Sequence, residues 1–197
     1  MNKSTAQLTL VLIVLLTLPI FFITIPVLIS IYNGLVRKRN QVQYAFSGVD
    51  VALQKRGDLI PNLVESVKKY MSYEQGTLAQ IVALRNQITT AKPHSTERFE
   101  LENNMTGLLK NVMVSVENYP ELKSNDNMLQ LQRTLNETEE QISAARRAYN
   151  ASVNQLNNAI QTFPSSLVAN SNGFQPNPYF TADESTRTTP NVKQLFN

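Results

Sequence analysis

Residues 8–31 read LTLVLIVLLTLPIFFITIPVLISI, 24 positions without a charge, of which 18 are Leu, Ile, Val or Phe. No other feature limits the fold so sharply. About 20 such residues span a hydrocarbon core as a helix, and each adds roughly −0.3 to −0.6 kcal/mol near the bilayer centre. Pro19 and Pro26 are tolerable in a membrane helix and bend it. A cleaved signal peptide is the competing reading, but its apolar core runs about 7–15 residues before a small-x-small cleavage site. Here the core is longer and is followed by Ser30-Ile31-Tyr32-Asn33-Gly34. A buried core helix seldom stays uncharged this long. The expectation is a short tail at 1–7 and an uncleaved single-pass anchor at 8–31. Lys3 and the amino terminus precede the anchor and Arg37, Lys38 and Arg39 follow it. The positive-inside bias therefore favours the tail outside and the larger domain in the cytoplasm.

Composition closes several function classes. There is no cysteine, so no disulfide, thiolate ligand or cysteine nucleophile, and His94 is the single histidine. The net charge of +3 is shared with Lys3 ahead of the anchor. A nucleic-acid binder would carry clustered Lys and Arg in large excess, so no nucleic-acid partner is expected.

Beyond the anchor the apolar residues step by threes and fours: Phe46, Val49, Leu53, Arg56, Ile60, Leu63, Val67, Tyr70, Glu74, Thr77, Ile81, Leu84 and Ile88. That is a heptad seam with three polar members. It runs in phase through Gly57 and Pro61, which predicts one kinked helix rather than a stop. The rival is a true break, with Asp58 capping a new helix and Pro61 in its first turn. In the kinked form Pro61 frees the Gly57 carbonyl, which small polar groups or water would satisfy.

Pro93 ends this helix and Ser95 or Thr96 caps the next. The second helix shows Leu101, Met105, Leu108, Val112, Val116 and Tyr119, and stops at Pro120. Ser124, Asn125 and Asp126 are candidate caps for the third. Its seam is Met128, Leu131, Leu135, Thr138, Ile142, Ala145, Tyr149, Ser152, Leu156, Ile160 and Phe163, ended by Pro164. Short connections make neighbours antiparallel. The predicted fold is all-α: a single N-terminal transmembrane helix, then an antiparallel bundle of three to four long helices over 32–163. An irregular strap and tail at 164–197 follow. Leu167, Phe174, Tyr179 and Phe180 are the strap residues able to pack, and the last dozen residues read as a tail.

Tests for chemistry fail one after another. A di-iron bundle site needs two Glu-x-x-His pairs, and Ala91 stands at the required offset before His94. A lone loop histidine is more often solvated than a ligand. A triad lacks a well-placed base, and no Gly-rich phosphate loop is present. Glu139 and Glu140 are adjacent on a helix, point about 100° apart, and read as a solvated face. Arg56 and Glu74 occupy seam positions. They either snorkel to the surface or are buried and paired with a charge on another helix, fixing register. Neither reading is catalytic, so no catalytic, cofactor or metal residue is assigned.

The stretch YNGLVRKRNQVQYAFSGVDVALQKRGDLIPNLVESVKKYMSYE closely resembles the opening signature of the LemA family. ENYPELKSNDNMLQLQRTLNETEEQISAARRAYNASVNQLNNAI and FPSSLVANSNGF resemble its second half, so the likeness covers 32–180. The resemblance implies a bacterial inner-membrane protein with one transmembrane helix, a short outer tail and a helical bundle inside. It supplies no catalytic residues. Family members are discussed near membrane zinc metalloproteases, which hints at a partner. Gly57 stands where the family commonly has a larger residue, which puts the sharpness of the kink in question.

Two function classes follow. The leading one is a non-enzymatic, membrane-anchored interaction or scaffold protein without cofactor. It would contact membrane lipid through the anchor and the basic collar Arg37-Lys38-Arg39. It would also hold a protein partner, a membrane metalloprotease among them, or self-associate through Asn- and Gln-rich faces. The alternative is an enzyme or small-molecule-binding bundle with a polar pocket near Pro61, built from Arg56, Asp58, Asn62, Arg146 and Asn150.

Overall fold

A computed structural model describes residues 3–71 and 75–181, with side chains described at Leu15 and from residue 21 onward. Among these residues there are helices and no strands: α1 (Lys3–Lys68), α2 (Gln75–Thr90), α3 (Thr96–Val116), α4 (Pro120–Lys123), α5 (Asp126–Gln161) and α6 (Ser165–Ser171). The all-α expectation holds.

The chain divides into two compact units. The first comprises 1–42 and 154–176 and centres on buried Leu35, Val42, Leu156, Ile160, Val168 and Phe174. Phe174 meets the Tyr32 ring edge-on at 6.1 Å between centroids, and the Arg39 guanidinium lies 5.3 Å from its centre.

The second unit, 43–153 with the segment from 177 onward, is a four-helix bundle. Its directions follow from the pairings. Phe46 meets Tyr149 and Arg56 meets Glu139, so α5 runs antiparallel to α1. Asp50 meets Arg98 and Arg56 meets Glu102, so α3 runs parallel to α1. Arg85 of α2 reaches back to Gly57. One continuous core holds Ile60, Leu63 and Val67 of α1, Leu78 and Ile81 of α2, and Met105 and Val112 of α3, with Met128 and Leu135 of α5.

Several boundaries differ from the sequence reading. Helix α1 continues through Gly57 and Pro61, so there is no stop at that point. The stop comes later: α1 ends at Lys68, where the Tyr70 and Met71 amides both donate to the Val67 carbonyl, and α2 starts at Gln75. The seam hid this turn because Val67 of α1 and Ile81 of α2, fourteen residues or two heptads apart, bury into the same core. A heptad count cannot separate one long helix from two that share a core and a loop of matching length. Glu74 lies outside the described residues, as does the tail from 182 onward.

In α3 the seam is shifted. Phe99, Glu102 and Leu109 are buried, whereas Leu101 and Leu108 are only partly so. The cap of α3 is Ser95, whose Oγ accepts from the Arg98 amide at 3.1 Å. For α5, Asn125 Oδ1 accepts from the Met128 amide at 3.2 Å. Along the α5 seam Met128, Leu135, Thr138, Ile142, Tyr149, Ser152, Leu156 and Ile160 are buried, Leu131 and Ala145 are only partly so, and Phe163 is 80% exposed. The strap is not wholly irregular, since α6 supplies two helical turns. Phe174 and Phe180 pack inward, whereas Leu167 and Tyr179 are exposed.

Candidate functional site

Arg56 stands on the buried face of α1, one residue before Gly57. Its side chain is 1% exposed, so it does not snorkel. One terminal nitrogen donates to Thr106 Oγ1 at 2.7 Å and to Glu139 Oε1 at 2.8 Å. The other donates to Glu102 Oε2 and to the Glu102 carbonyl, the latter at 3.3 Å. One guanidinium therefore ties α1 to α3 and α5. Glu102 is 2% exposed, and its second oxygen lies 3.7 Å from Arg98 Nε, too far for a hydrogen bond. Arg98 donates to Asp50 Oδ1 at 2.8 Å. Charges taken out of water must be paired and hydrogen-bonded to be tolerable, and this cluster meets that demand almost within itself.

Beside it lies a cavity of about 260 Å³ with Leu53, Ile60 and Met105 on its apolar side and Arg56, Asp58 and Arg85 on its polar side. Gly57 of α1 forms part of the wall. Pro61 has no N–H to give the Gly57 carbonyl, and Arg85 Nε donates to that oxygen at 3.1 Å. The freed acceptor is thus satisfied by a charged side chain from α2 rather than by a small polar group of α1.

A second cluster holds the segment after α6. Asn150 Nδ2 donates to the Phe180 carbonyl at 2.8 Å, and the Phe180 amide donates to Asn150 Oδ1 at 2.9 Å. Tyr149 donates to the Pro178 carbonyl at 3.1 Å, and Asn103 donates to the Thr181 carbonyl at 2.9 Å. Arg146 donates to Asn103 Oδ1 at 2.9 Å and covers the Phe180 ring at 4.9 Å. Burial, then repulsion from Arg56, pulls the Arg146 pKa down, against the attraction of Glu102 and Glu139. Phe180 stacks on Phe99 at 3.6 Å and meets Tyr149 edge-on. Burial pushes the Tyr149 phenol up to about 12.

His94 is half-buried rather than solvated. It adopts φ 60°, a left-handed conformation that histidine enters more readily than most residues, and stacks on Phe46 at 3.5 Å. Burial lowers its pKa; Asp50 raises it and Arg98 lowers it further. Among the described residues no group of three or more His, Cys, Asp and Glu side chains could hold a metal ion.

The five polar residues singled out from sequence fall in three places. Arg56 and the exposed Asp58 line the cavity beside Gly57. Asn62 is exposed in a separate depression with Ser66, Gln130 and Thr134. Arg146 and Asn150 hold the 177–181 segment. Arg146 still feels the Arg56 charge. Sequence reasoning missed Glu102, Arg98, Asp50 and Arg85. Glu102 sits three residues from Phe99 and from Met105, and that spacing was the available signal. Glu139, read as solvated, is 30% exposed and paired with Arg56.

The sequence profile described as the LemA family matches residues 45–194. Protein LemA of Metamycoplasma hominis is 27% identical over 181 aligned positions, covering 90% of this chain and 83% of that protein. Magnetosome proteins MamQ 1 and MamQ 2 of Paramagnetospirillum magneticum are each 24% identical, covering 87% of this chain and 72% of theirs.

Proposed function

The chain belongs to the LemA family, and we propose that it works as a non-enzymatic, single-pass membrane-anchored interaction protein. The observation that carries this reading is α1. It contains the uncharged run 8–31 and goes on, without an intervening loop, to supply the first helix of the bundle. Over its described part it is long and apolar enough to cross a membrane. Its apolar residues from 21 to 29 face outward rather than into the fold, as a lipid-facing helix requires. The inner membrane is the site we assign, with the bundle in the cytoplasm. The surplus of Arg37, Lys38 and Arg39 over Lys3 supports that direction.

The buried Arg56 and Glu102 support a binding role over a catalytic one, because they are engaged with each other. Partner contact would use the groove between α2 and α3, where Gln80, Gln87, Asn103, Asn104 and Asn111 gather. Uncharged amides offer a donor and an acceptor each, and suit either another copy of this chain or a membrane protease. Crosslinking in native membranes followed by mild detergent extraction tests the proposal. A discrete crosslinked assembly, weakened by Gln87→Ala with Asn104→Ala, is expected. A strictly monomeric, partnerless chain overturns it.

The cavity beside Gly57 favours a second reading, a small-molecule-binding bundle. Native mass spectrometry of the full chain would then show a retained small ligand that Leu53→Phe displaces. An unliganded mass from freshly extracted membranes rejects this reading.

A further inference from the structure

From Ala148 to Ala182 the chain carries no Asp, Glu, Lys or Arg, a run of 35 residues. Such a run is unusual where the flanking composition is rich in charge, and hydropathy does not explain it, since Asn and Ser abound. Its middle portion folds back on the anchor. Val168, Ser171 and Asn172 of the α6 region line a hollow with Leu28, Ile29 and Tyr32 of α1.

That height on α1 is informative. The uncharged run 8–31 is about 36 Å long as a helix, a few ångströms more than a hydrocarbon core of about 30 Å. Its last turn therefore emerges where acyl chains meet headgroups. Tyr32, the aromatic type that favours this depth, packs against Phe174, and Arg39 covers the Phe174 ring. Outward from the same unit point Phe163, 80% exposed, and Leu167, 63% exposed. The charged residues of this unit are Lys3, Arg37, Lys38 and Arg39, all positive.

We propose that the α6 region, through Phe163 and Leu167, is a second lipid contact that lies in the bilayer interface beside the end of the anchor. The absence of charge removes the desolvation cost of that depth. The amides and hydroxyls around the two apolar side chains match the polar boundary. Arg37, Lys38 and Arg39 begin roughly 14 Å further along α1 than Leu28, at headgroup or water level, where anionic lipid attracts them. The occupant is lipid because the neighbouring Val168, Ser171 and Asn172 share a hollow with Leu28, Ile29 and Tyr32 at the end of the anchor.

This inference rests on the anchor reading, and the test separates the two. The chain has no tryptophan, so single tryptophans report without background. The full chain carrying Phe163→Trp or Leu167→Trp is reconstituted into zwitterionic vesicles containing a minority of anionic lipid. Lipid brominated near the acyl carbonyl quenches at the interface, lipid brominated near the chain end quenches at the bilayer centre where position 22 lies, and iodide quenches from water. Phe22→Trp reports the anchor and Tyr44→Trp, on the exposed surface, reports the bundle. The expected result is brominated-lipid quenching at 163 and 167 several-fold above that at 44, with iodide access reduced to match. Quenching at 22 with 163 and 167 behaving like 44 overturns the proposal and leaves the anchor standing. No lipid quenching at 22 removes the anchor and this contact together. Iodide shielding at 163 without lipid quenching assigns the face to a protein neighbour and also overturns it.

Discussion

Replacing Arg56 by Met removes the guanidinium, keeps an unbranched side chain about as long as the arginine stem, and leaves its partners in place. Four hydrogen bonds are lost: those to Thr106, Glu139, the Glu102 carboxylate and the Glu102 carbonyl. Glu102, at 2% exposure, is then a buried carboxylate whose nearest cation is Arg98 Nε at 3.7 Å. Removing one member of a buried pair costs about 3–5 kcal/mol, mostly for the stranded charge. The bundle spans 43–153; at about 2.1 cal/mol/K per residue its unfolding entropy is about 0.23 kcal/mol/K. The expected fall in Tm is therefore about 13–22 °C, read by thermal circular dichroism of the full chain in detergent. Adding Glu102→Leu removes the stranded charge. The double variant should recover at least about 1 kcal/mol relative to Arg56→Met alone. Glu139→Gln, at a partner 30% exposed, should cost about 1 kcal/mol or less. A fall below about 4 °C for Arg56→Met, or strict additivity in the double variant, would refute the claim that a dry ion cluster joins the three helices.

Four further outcomes follow from the geometry. Arg85→Leu strands the Gly57 carbonyl and should cost about 1–3 kcal/mol. In a Pro61→Ala background the restored amide supplies that oxygen, so the same substitution should then cost well under half as much in urea unfolding. Asn150→Ala removes both bonds to the Phe180 backbone; hydrogen exchange at 177–181 should rise at least about tenfold for about 1.4 kcal/mol lost, with exchange in α2 unchanged. His94 has a lowered pKa in the fold, so the unfolded chain takes up the proton first. Stability should be complete above pH 6.5 and decline as pH falls below it, and a His94→Phe variant should lose that slope. Tyr149, pushed up to about 12, works at the other end. Its contribution is present below about pH 10 and is lost as pH rises through the folded value, visible as one late phenolate in an absorbance titration.

The sequence made the all-α class legible because its seams are long and regular, and the long apolar helix legible because 24 uncharged residues admit few structures. The turn after Lys68 was not legible, since spacing records which residues share a core and not which helix brings them. The charged centre was half legible. Arg56 interrupts an apolar seam and so announces itself, but Glu102 lies between Phe99 and Met105, in a stretch where Leu101 and Leu108 offer a rival seam. The holding of 177–181 was invisible for another reason. Asn150 binds backbone groups of Phe180, and backbone partners leave no mark on residue identity.

The Gly57–Arg85 bond joins positions 28 apart in the chain. During synthesis the proline is made first, so the Gly57 oxygen meets solvent until the arginine has been translated and its helix has turned back. The Gly57 carbonyl is thus a late-fastened joint: the first rod of the bundle has its open acceptor closed only when the second one arrives.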